Sequence, residues 1–201
     1  MNLEVEAKFQ IDDLDGVRTR LLAAGGEIKK QRIYEKNTVY DDRAQSLKNS
    51  QRLIRLRQDE KIKLTFKGPA PAELEQASEA KVREEIELEI ADFDKMELII
   101  GRLGYEPAVV YEKYRETIQV GEVEAVLDEL PYGNFVELEG SEAAIKALAE
   151  ACDIKWESRL NTNYLALLRM VKSAYQLGFN DLTFENFEGL TIDWGKVLAD
   201  F

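Results

Sequence analysis

Hydrophobic and polar residues alternate strictly over residues 3–9, with Leu3, Val5, Ala7 and Phe9 on one face and Glu4, Glu6 and Lys8 on the other. That period of two predicts a β-strand. Asp12 and Asp13 then offer an N-cap, Leu14, Val17, Leu21 and Leu22 form a stripe at helical spacing, and Gly25-Gly26 supplies the left-handed residues that end helices. The plan recurs later in the chain. Glu85, Glu87 and Glu89 alternate with Ile86, Leu88 and Ile90; Asp92 or Asp94 starts a helix carrying Met96, Ile99, Ile100 and Leu103; Gly104 closes it. The exits match as well, Tyr34-Glu35-Lys36 after the first helix and Tyr111-Glu112-Lys113 after the second. Such self-similarity predicts two related halves about a pseudo-twofold axis that close into one barrel, rather than the many short repeats of a solenoid.

Further strands are predicted over 37–42, 52–58, 61–67, 109–119, 122–128 and 134–139, joined mostly by short polar or Gly/Pro turns. Ser141 begins a helix, and 162–176 form another. Pro69-Ala70-Pro71 opens a longer polar loop to about residue 80, read as a disordered connection in preference to a mobile lid. The tail from Leu177 is aromatic and acidic, suited to packing on the barrel or meeting a partner.

Composition narrows the chemistry. The 201 residues, 45% hydrophobic and 33% charged, are those of a globular protein. No apolar run approaches the ~18 residues that span a bilayer, and the chain opens directly into a strand, so cytoplasmic residence is the expectation. The single Cys152 excludes an intrachain disulfide, and the absence of histidine sets aside zinc, haem, Ser-His and Cys-His chemistry. Metal ligands would have to be carboxylates, which suit magnesium or manganese. The net charge of −12 argues against nucleic acid or an anionic membrane as partner, while a local cluster of cations can still bind an anion.

The charges share strand faces. Glu4, Glu6 and Lys8 lie together, as do Arg55 and Arg57, then Lys63, Thr65 and Lys67, then Arg83, Glu85 and Glu87, then Lys113 and Arg115; Asp128, Glu137 and Glu139 lie on the last strand pair. In a single antiparallel strand such a face ordinarily meets water. Here aliphatic residues fill the opposite faces, and the predicted helices need a sheet surface to cover. Helices on the outside place the charged rows in the barrel lumen. A charged lumen must be internally paired, hydrated, and filled by ions or ligand, because an unpartnered buried charge costs several kcal/mol. The acids and bases nearly balance. Divalent ions on the acids leave cations matched to a polyanion such as triphosphate, with bidentate Arg contacts to phosphate oxygens.

The sequence resembles the CYTH superfamily of triphosphate tunnel enzymes, which includes class IV adenylyl cyclases, thiamine triphosphatases and inorganic triphosphatases. Its signature Glu-x-Glu-x-Lys stands as Glu4-Val5-Glu6-Ala7-Lys8. It continues in order through Leu53-Ile54-Arg55-Leu56-Arg57, Leu64-Thr65-Phe66-Lys67-Gly68-Pro69, Glu85-Ile86-Glu87, Lys113-Tyr114-Arg115, Leu127-Asp128 and Gly133-Asn134-Phe135-Val136-Glu137-Leu138-Glu139. The resemblance covers residues 1–170 and leaves 171–201 as a C-terminal extension; Asn163-Tyr164 departs from the Ser-Tyr common there.

The resemblance implies an α+β fold, a closed antiparallel eight-stranded β-barrel with flanking helices and triphosphate lying along it. Carried over, Glu4, Glu6, Glu137 and Glu139 hold Mg2+ or Mn2+ with Asp128 assisting, and Glu85 and Glu87 bind metal or orient cations. Lys8, Arg55, Arg57, Lys67, Lys113 and Arg115 grip phosphates. Lys63 and Arg83 join them from strand phase alone. Catalysis is placed on Glu4, Glu6, Lys8 and Lys113. The implied reaction is hydrolysis of tripolyphosphate or a small organic triphosphate, with an ATP-cyclising activity and a non-catalytic polyphosphate binder as alternatives. Monomer and homodimer are both left open. Cys152, Trp156, Trp194, Tyr34 and Tyr40 are read as packing residues.

Overall fold

The computed structural model describes residues 3–198; residues 1, 2 and 199–201, which the divisions 1–170 and 171–201 include, lie outside the described residues. The alternating N-terminal segment forms β1 (Leu3–Ile11), followed by α1 (Leu14–Ala23) and the long β2 (Glu27–Asp41). A short α2 (Ser46–Asn49) leads to the hairpin β3 (Leu53–Gln58) and β4 (Ile62–Pro69). After α3 (Ala72–Ala77) the plan recurs as β5 (Lys81–Ile90), α4 (Phe93–Arg102) and β6 (Glu106–Val120). Then come β7 (Val123–Leu130), β8 (Gly133–Glu139), α5 (Glu142–Ala151), α6 (Tyr164–Tyr175) and α7 (Trp194–Val197).

The helix boundaries follow the capping chemistry. Asp13 accepts from the Gly16 amide, Asp92 from Lys95, Ser141 from Ala144 and Asn163 from Ala166, each satisfying an orphan donor of a first turn. Gly25 (φ 86°) and Gly104 (φ 95°) follow α1 and α4 at equivalent places in the two halves.

The strands close a barrel in the order β1-β5-β4-β3-β2-β6-β7-β8. Exchanging β1–β4 with β5–β8 reproduces the same ring, so the topology itself carries the pseudo-twofold relation. The β1–β5, β4–β5, β1–β8 and β2–β6 ladders join the halves, because β1 and β5 are exchanged between them. The β2–β6 ladder is interrupted by irregularities at Ile28/Lys30, Lys30/Ile33 and Val39/Tyr40.

Helices cover much of the outside, leaving Ile86 and Leu88 of β5 exposed. Val17 and Leu21 of α1 and Ile145, Leu148 and Ala149 of α5 pack on Ala7, Phe9, Ile118, Val136 and Leu138. Ile100 of α4 packs with Tyr40 and Leu56. With the apolar faces turned outward onto helices, strand alternation turns the charged faces inward. One end of the barrel is partly plugged. There Leu130, Tyr132 and Phe135 meet Tyr164 and Leu167 of α6, Leu182, Phe187 and Trp194, with Phe135 and Trp194 edge to face at 5.2 Å.

Two readings are corrected. The stretch 69–80 is not wholly loop, since it contains α3 and is tied down by Glu142, which accepts from Ser78 Oγ (2.6 Å) and the Glu79 amide (3.0 Å). The Tyr-Glu-Lys echo is out of phase: Glu35 pairs with Lys113 and Lys36 with Glu112. Glu35 and Lys113 are therefore buried together, while Glu112 turns outward and accepts from the Phe184 amide. Cys152 is buried in the core, Trp156 packs on Phe9, and Tyr34 packs on Tyr114.

Candidate active site

The inward rows enclose a cavity of about 470 Å³ lined by Glu4, Glu6 and Lys8 of β1, Arg55 and Arg57 of β3, Lys63 and Lys67 of β4, Arg83, Glu85 and Glu87 of β5, Lys113 and Arg115 of β6, and Glu137 and Glu139 of β8. Of the residues singled out by strand phase, Asp128 and Thr65 lie behind the lining, with no exposed surface.

The lumen is a lattice of ion pairs. Lys67 bridges Glu4 (2.6 Å) and Glu85 (2.8 Å), Lys81 holds Glu6 (2.6 Å), and Lys8 holds Glu137 (2.8 Å). Glu87 ties Lys63 (2.6 Å) to Arg57 (3.5 Å) and also accepts from Thr65 Oγ1 (2.9 Å). Asp128 is saturated: it accepts from Lys113, from both Nε and Nη2 of Arg115, and from the Tyr164 hydroxyl (2.8 Å). Lys113 also reaches Glu35 (3.4 Å). Such pairing is what makes so many buried charges tolerable.

Two features remain unsatisfied. Nε of Arg55, Nε of Arg57 and Oδ1 of Asn37 are buried without a hydrogen-bond partner, although Arg57 Nε lies 3.6 Å from Glu35 Oε1 as an ion pair. A buried guanidinium N–H without an acceptor is costly, and an anionic oxygen in the lumen would relieve it. The second feature is an excess of acid where β1, β8 and β7 meet. Glu6 faces Glu139 in one ladder and Glu139 faces Glu124 in the next. Burial, with Glu124 beside it, pushes Glu139 up to about 7. Burial likewise lifts Glu4 to about 8 against the pull of Lys67, with Glu6 and Glu85 adding repulsion. Burial also acts to raise Glu6, but Lys8 and Lys81 outweigh it and hold this carboxyl down to about 2.

No group of three His, Cys, Asp or Glu among the described residues already stands in metal-coordinating geometry. The donor chemistry nevertheless fits a hard divalent cation beside Glu139, which has no ion pair among the described residues, and Glu4, whose crowding outweighs its pair with Lys67; Glu6 stands opposite Glu139 but already holds Lys81. Glu137 and Asp128 fit less directly, because Lys8, Arg115 and Lys113 already occupy their oxygens.

Residues outside the sequence reading also contribute. Lys81 is in phase with Arg83 and Glu85, and Glu124 with Asp128, so alternation alone would have found them. Tyr111 donates to no lumen acid but receives Arg55 Nη1 on its hydroxyl (2.8 Å). The Tyr164 ring lies 4.3 Å below Lys8 Nζ, a cation–π contact that fixes the base of the lumen. Glu35 and Asn37 complete the buried layer, joined by a 2.9 Å hydrogen bond.

A closed eight-stranded barrel with a lumen of paired Lys, Arg and Glu defines the class of triphosphate-tunnel folds. The chain belongs to the CYTH domain family, whose model matches residues 2–173. It is 31% identical over 158 residues to a Methanocaldococcus jannaschii protein named provisionally as an adenylate cyclase, covering 76% of this chain and 87% of that one. Among solved structures, it resembles a provisional adenylate cyclase of Vibrio parahaemolyticus with a TM-score of 0.72 at 21% identity, covering 84% and 98% of the two chains. It also resembles a Hippeastrum protein described as having a dominant triphosphatase activity, with a TM-score of 0.60 at 17% identity, covering 84% and 95%. These two likenesses show the fold. No helix among the described residues is long and apolar enough to cross a membrane.

Proposed function

We propose that the protein is a divalent-metal-dependent triphosphatase that cleaves a phosphoanhydride bond of tripolyphosphate or a small organic triphosphate. The observation that carries this reading is the pair of buried, acceptorless Nε groups on Arg55 and Arg57 within a lumen of further cations. A triphosphate supplies acceptor oxygens for both, and Lys63, Lys67, Lys113 and Arg115 add neutralising charge along it.

Glu4, Glu6 and Glu139 would hold Mg2+ or Mn2+, which supplies Lewis-acid polarisation of a phosphoryl oxygen and acidifies an attacking water. The rest of the work falls to the protein side chains. Arg55 and Arg57 orient the chain of phosphates so that attack on phosphorus is in line with the departing bridge oxygen. The water oxygen bonds to phosphorus as one of its protons passes to solvent, the bridging P–O bond breaks, and its electron pair leaves with the departing phosphate, whose growing charge Lys8 and Lys113 neutralise. Glu87 and Asp128 orient cations, Glu87 through Lys63 and Arg57, Asp128 through Lys113 and Arg115.

A second reading is favoured by the name of the M. jannaschii relative: the 3′-hydroxyl of ATP attacks the α-phosphate and pyrophosphate leaves. It uses the same lumen. Incubating the protein with tripolyphosphate, thiamine triphosphate and ATP, each with Mg2+ or Mn2+, separates the readings by released phosphate against cyclic AMP. Tight binding with no product under either metal would leave a non-catalytic polyphosphate binder.

A further inference from the structure

β6 is longer than the neighbour that covers one of its edges. Its ladder with β2 runs from Glu106 to Gln119, but its ladder with β7 begins only at Tyr114, opposite Glu129. Backbone groups before Tyr114 on that edge would be left unpaired, which is costly for buried donors and acceptors. The segment after α6, which lies beyond the matched domain, fills the edge instead. Leu182, with no exposed surface, bridges Tyr111 in parallel: its amide donates to the Val110 carbonyl (2.9 Å) and its carbonyl accepts from the Glu112 amide (2.9 Å). Two carboxylates complete the contact, Asp181 Oδ1 accepting from the Val110 amide (2.8 Å) and Glu112 Oε2 from the Phe184 amide (3.0 Å).

The segment is itself held in place. Asn186 Nδ2 donates to the Asp181 carbonyl (2.9 Å), Lys172 of α6 donates to Asn180 Oδ1 (2.7 Å), and Leu182 and Phe187 sit in the apolar plug with Leu167 and Val171 of α6. Strand alternation transmits the contact inward. Tyr111 and Lys113 line the lumen between and beside the pinned Val110 and Glu112. The Tyr111 hydroxyl accepts from Arg55 Nη1 (2.8 Å) and is the only hydrogen-bond acceptor of that nitrogen among the described residues, while Arg55 Nη2 donates to Thr65 Oγ1 (3.1 Å). Because a guanidinium is planar and rigid, fixing Nη1 and Nη2 sets the direction of the third nitrogen, the buried Nε that has no acceptor.

We propose that residues 181–184 are a positioning device for the lumen. By pinning β6 at Val110 and Glu112 they set the place of the Tyr111 hydroxyl, and through it the direction in which Arg55 presents Nε to a phosphate oxygen. The inference rests on the reading of the lumen as a triphosphate site, and it adds to that site residues of the C-terminal extension that touch no substrate.

Thermal-shift titration of the full chain with tripolyphosphate in Mg2+ tests this. Asp181→Ala and Glu112→Ala are each expected to weaken tripolyphosphate about tenfold, while Asp181→Asn and Glu112→Gln, which keep the accepting oxygen, stay within about threefold of the parent. Glu112 stands on the outer face of β6, so its variant decides the matter if Asp181→Ala does not fold. Tyr111→Phe, which removes the hydroxyl, is expected to weaken binding about tenfold as well, and adding Glu112→Ala to it should change affinity by less than about twofold, because both act through one contact. Ile145→Ala, in the α5 contact, should lower the ligand-free melting temperature and leave affinity within about twofold. Unchanged affinity in the alanine variants, additive losses in the double variant, or an equal loss in Ile145→Ala would overturn the positioning role and leave the lumen reading intact. Failure of tripolyphosphate to shift unfolding of the parent protein would overturn the lumen reading and this inference with it.

Discussion

Glu6 and Glu139 stand directly opposite each other in the β1–β8 ladder, two carboxylates side by side in the lumen wall. Like charges directly across a ladder destabilise a sheet. Lys81 compensates Glu6 at 2.6 Å, but Glu139 has no ion pair among the described residues and meets a third acid, Glu124, on its other side. The arrangement costs stability, and under the proposed function a divalent cation shared by these acids would offset that cost.

Glu139→Gln and Glu4→Gln should therefore separate stability from activity. Each removes a crowded negative charge, so the metal-free protein is expected to unfold at the same or a higher temperature. Turnover should fall by roughly 100-fold or more through loss of metal affinity. Phosphate release and melting curves on the same samples check both halves of the expectation.

The pH dependence carries the same signature. Burial and neighbouring acids push Glu4 up to about 8 and Glu139 up to about 7, above the ordinary carboxylate value of 4.5. The folded state thus binds more protons than the unfolded one between those limits, and the contribution of these groups to stability is lost as pH rises from 4.5 through 7 and 8. Lys67, Glu6 and Glu85 face Glu4, and Glu124 faces Glu139. Chelator-treated protein should lose stability across that range, and Mg2+ should reduce the loss. Glu87 acts in the opposite direction: burial would raise it, but Arg57 and Lys63 hold it down to about 2. Its contribution is present above 4.5 and is lost as pH falls toward 2. Denaturant midpoints measured from pH 3 to 9, with and without Mg2+, read both limbs.

Glu35 and Lys113 form a fully buried pair at 3.4 Å that joins the two halves of the barrel. Glu35→Gln leaves Lys113 with Asp128 and Arg57 with Glu87 as their remaining ion-pair partners and is expected to destabilise by about 3 kcal/mol. A Glu35→Gln/Lys113→Met double variant should regain part of that loss, because the uncompensated charge goes too. A double-mutant cycle from urea melts gives the coupling.

The plugged end makes a separate prediction. Trp194 Nε1 donates to the Tyr132 carbonyl at 2.9 Å, and a Cβ on Gly133, whose φ is 147°, would lie 2.5 Å from Trp194 Nε1. Trp194→Ala should cost about 3–5 kcal/mol through the cavity left behind. Gly133→Ala should cost about 1–3 kcal/mol through overpacking at a backbone conformation that favours glycine. Thermal unfolding of the two variants checks both values.

What was legible in the sequence followed from periodicity. Glu4, Glu6 and Lys8 were placed in the lumen because alternation fixes the face of every strand residue once the helices are known to lie outside. The two halves were legible because capping aspartates and terminal glycines recur at equivalent points. Glu35 escaped for a physical reason. The strand was read as starting at residue 37, whereas β2 begins at Glu27 and reaches that point through two irregularities that reset the phase. The cavity of about 1020 Å³ between the barrel mouth and α6 escaped for another reason: it is made by residues such as Ala108, Leu165 and Arg52, which are distant in sequence and meet only when α6 is laid over the barrel mouth.

The central claim, that the lumen grips a triphosphate and cleaves it with a divalent ion, is tested most directly by one assay. Purified protein is incubated with ATP and with tripolyphosphate in Mg2+, Mn2+ or EDTA, and phosphate, pyrophosphate and cyclic AMP are measured together. The account predicts metal-dependent phosphate release that EDTA stops and Glu4→Gln abolishes. Phosphate release that continues undiminished in EDTA, or that Glu4→Gln leaves unchanged, would contradict it.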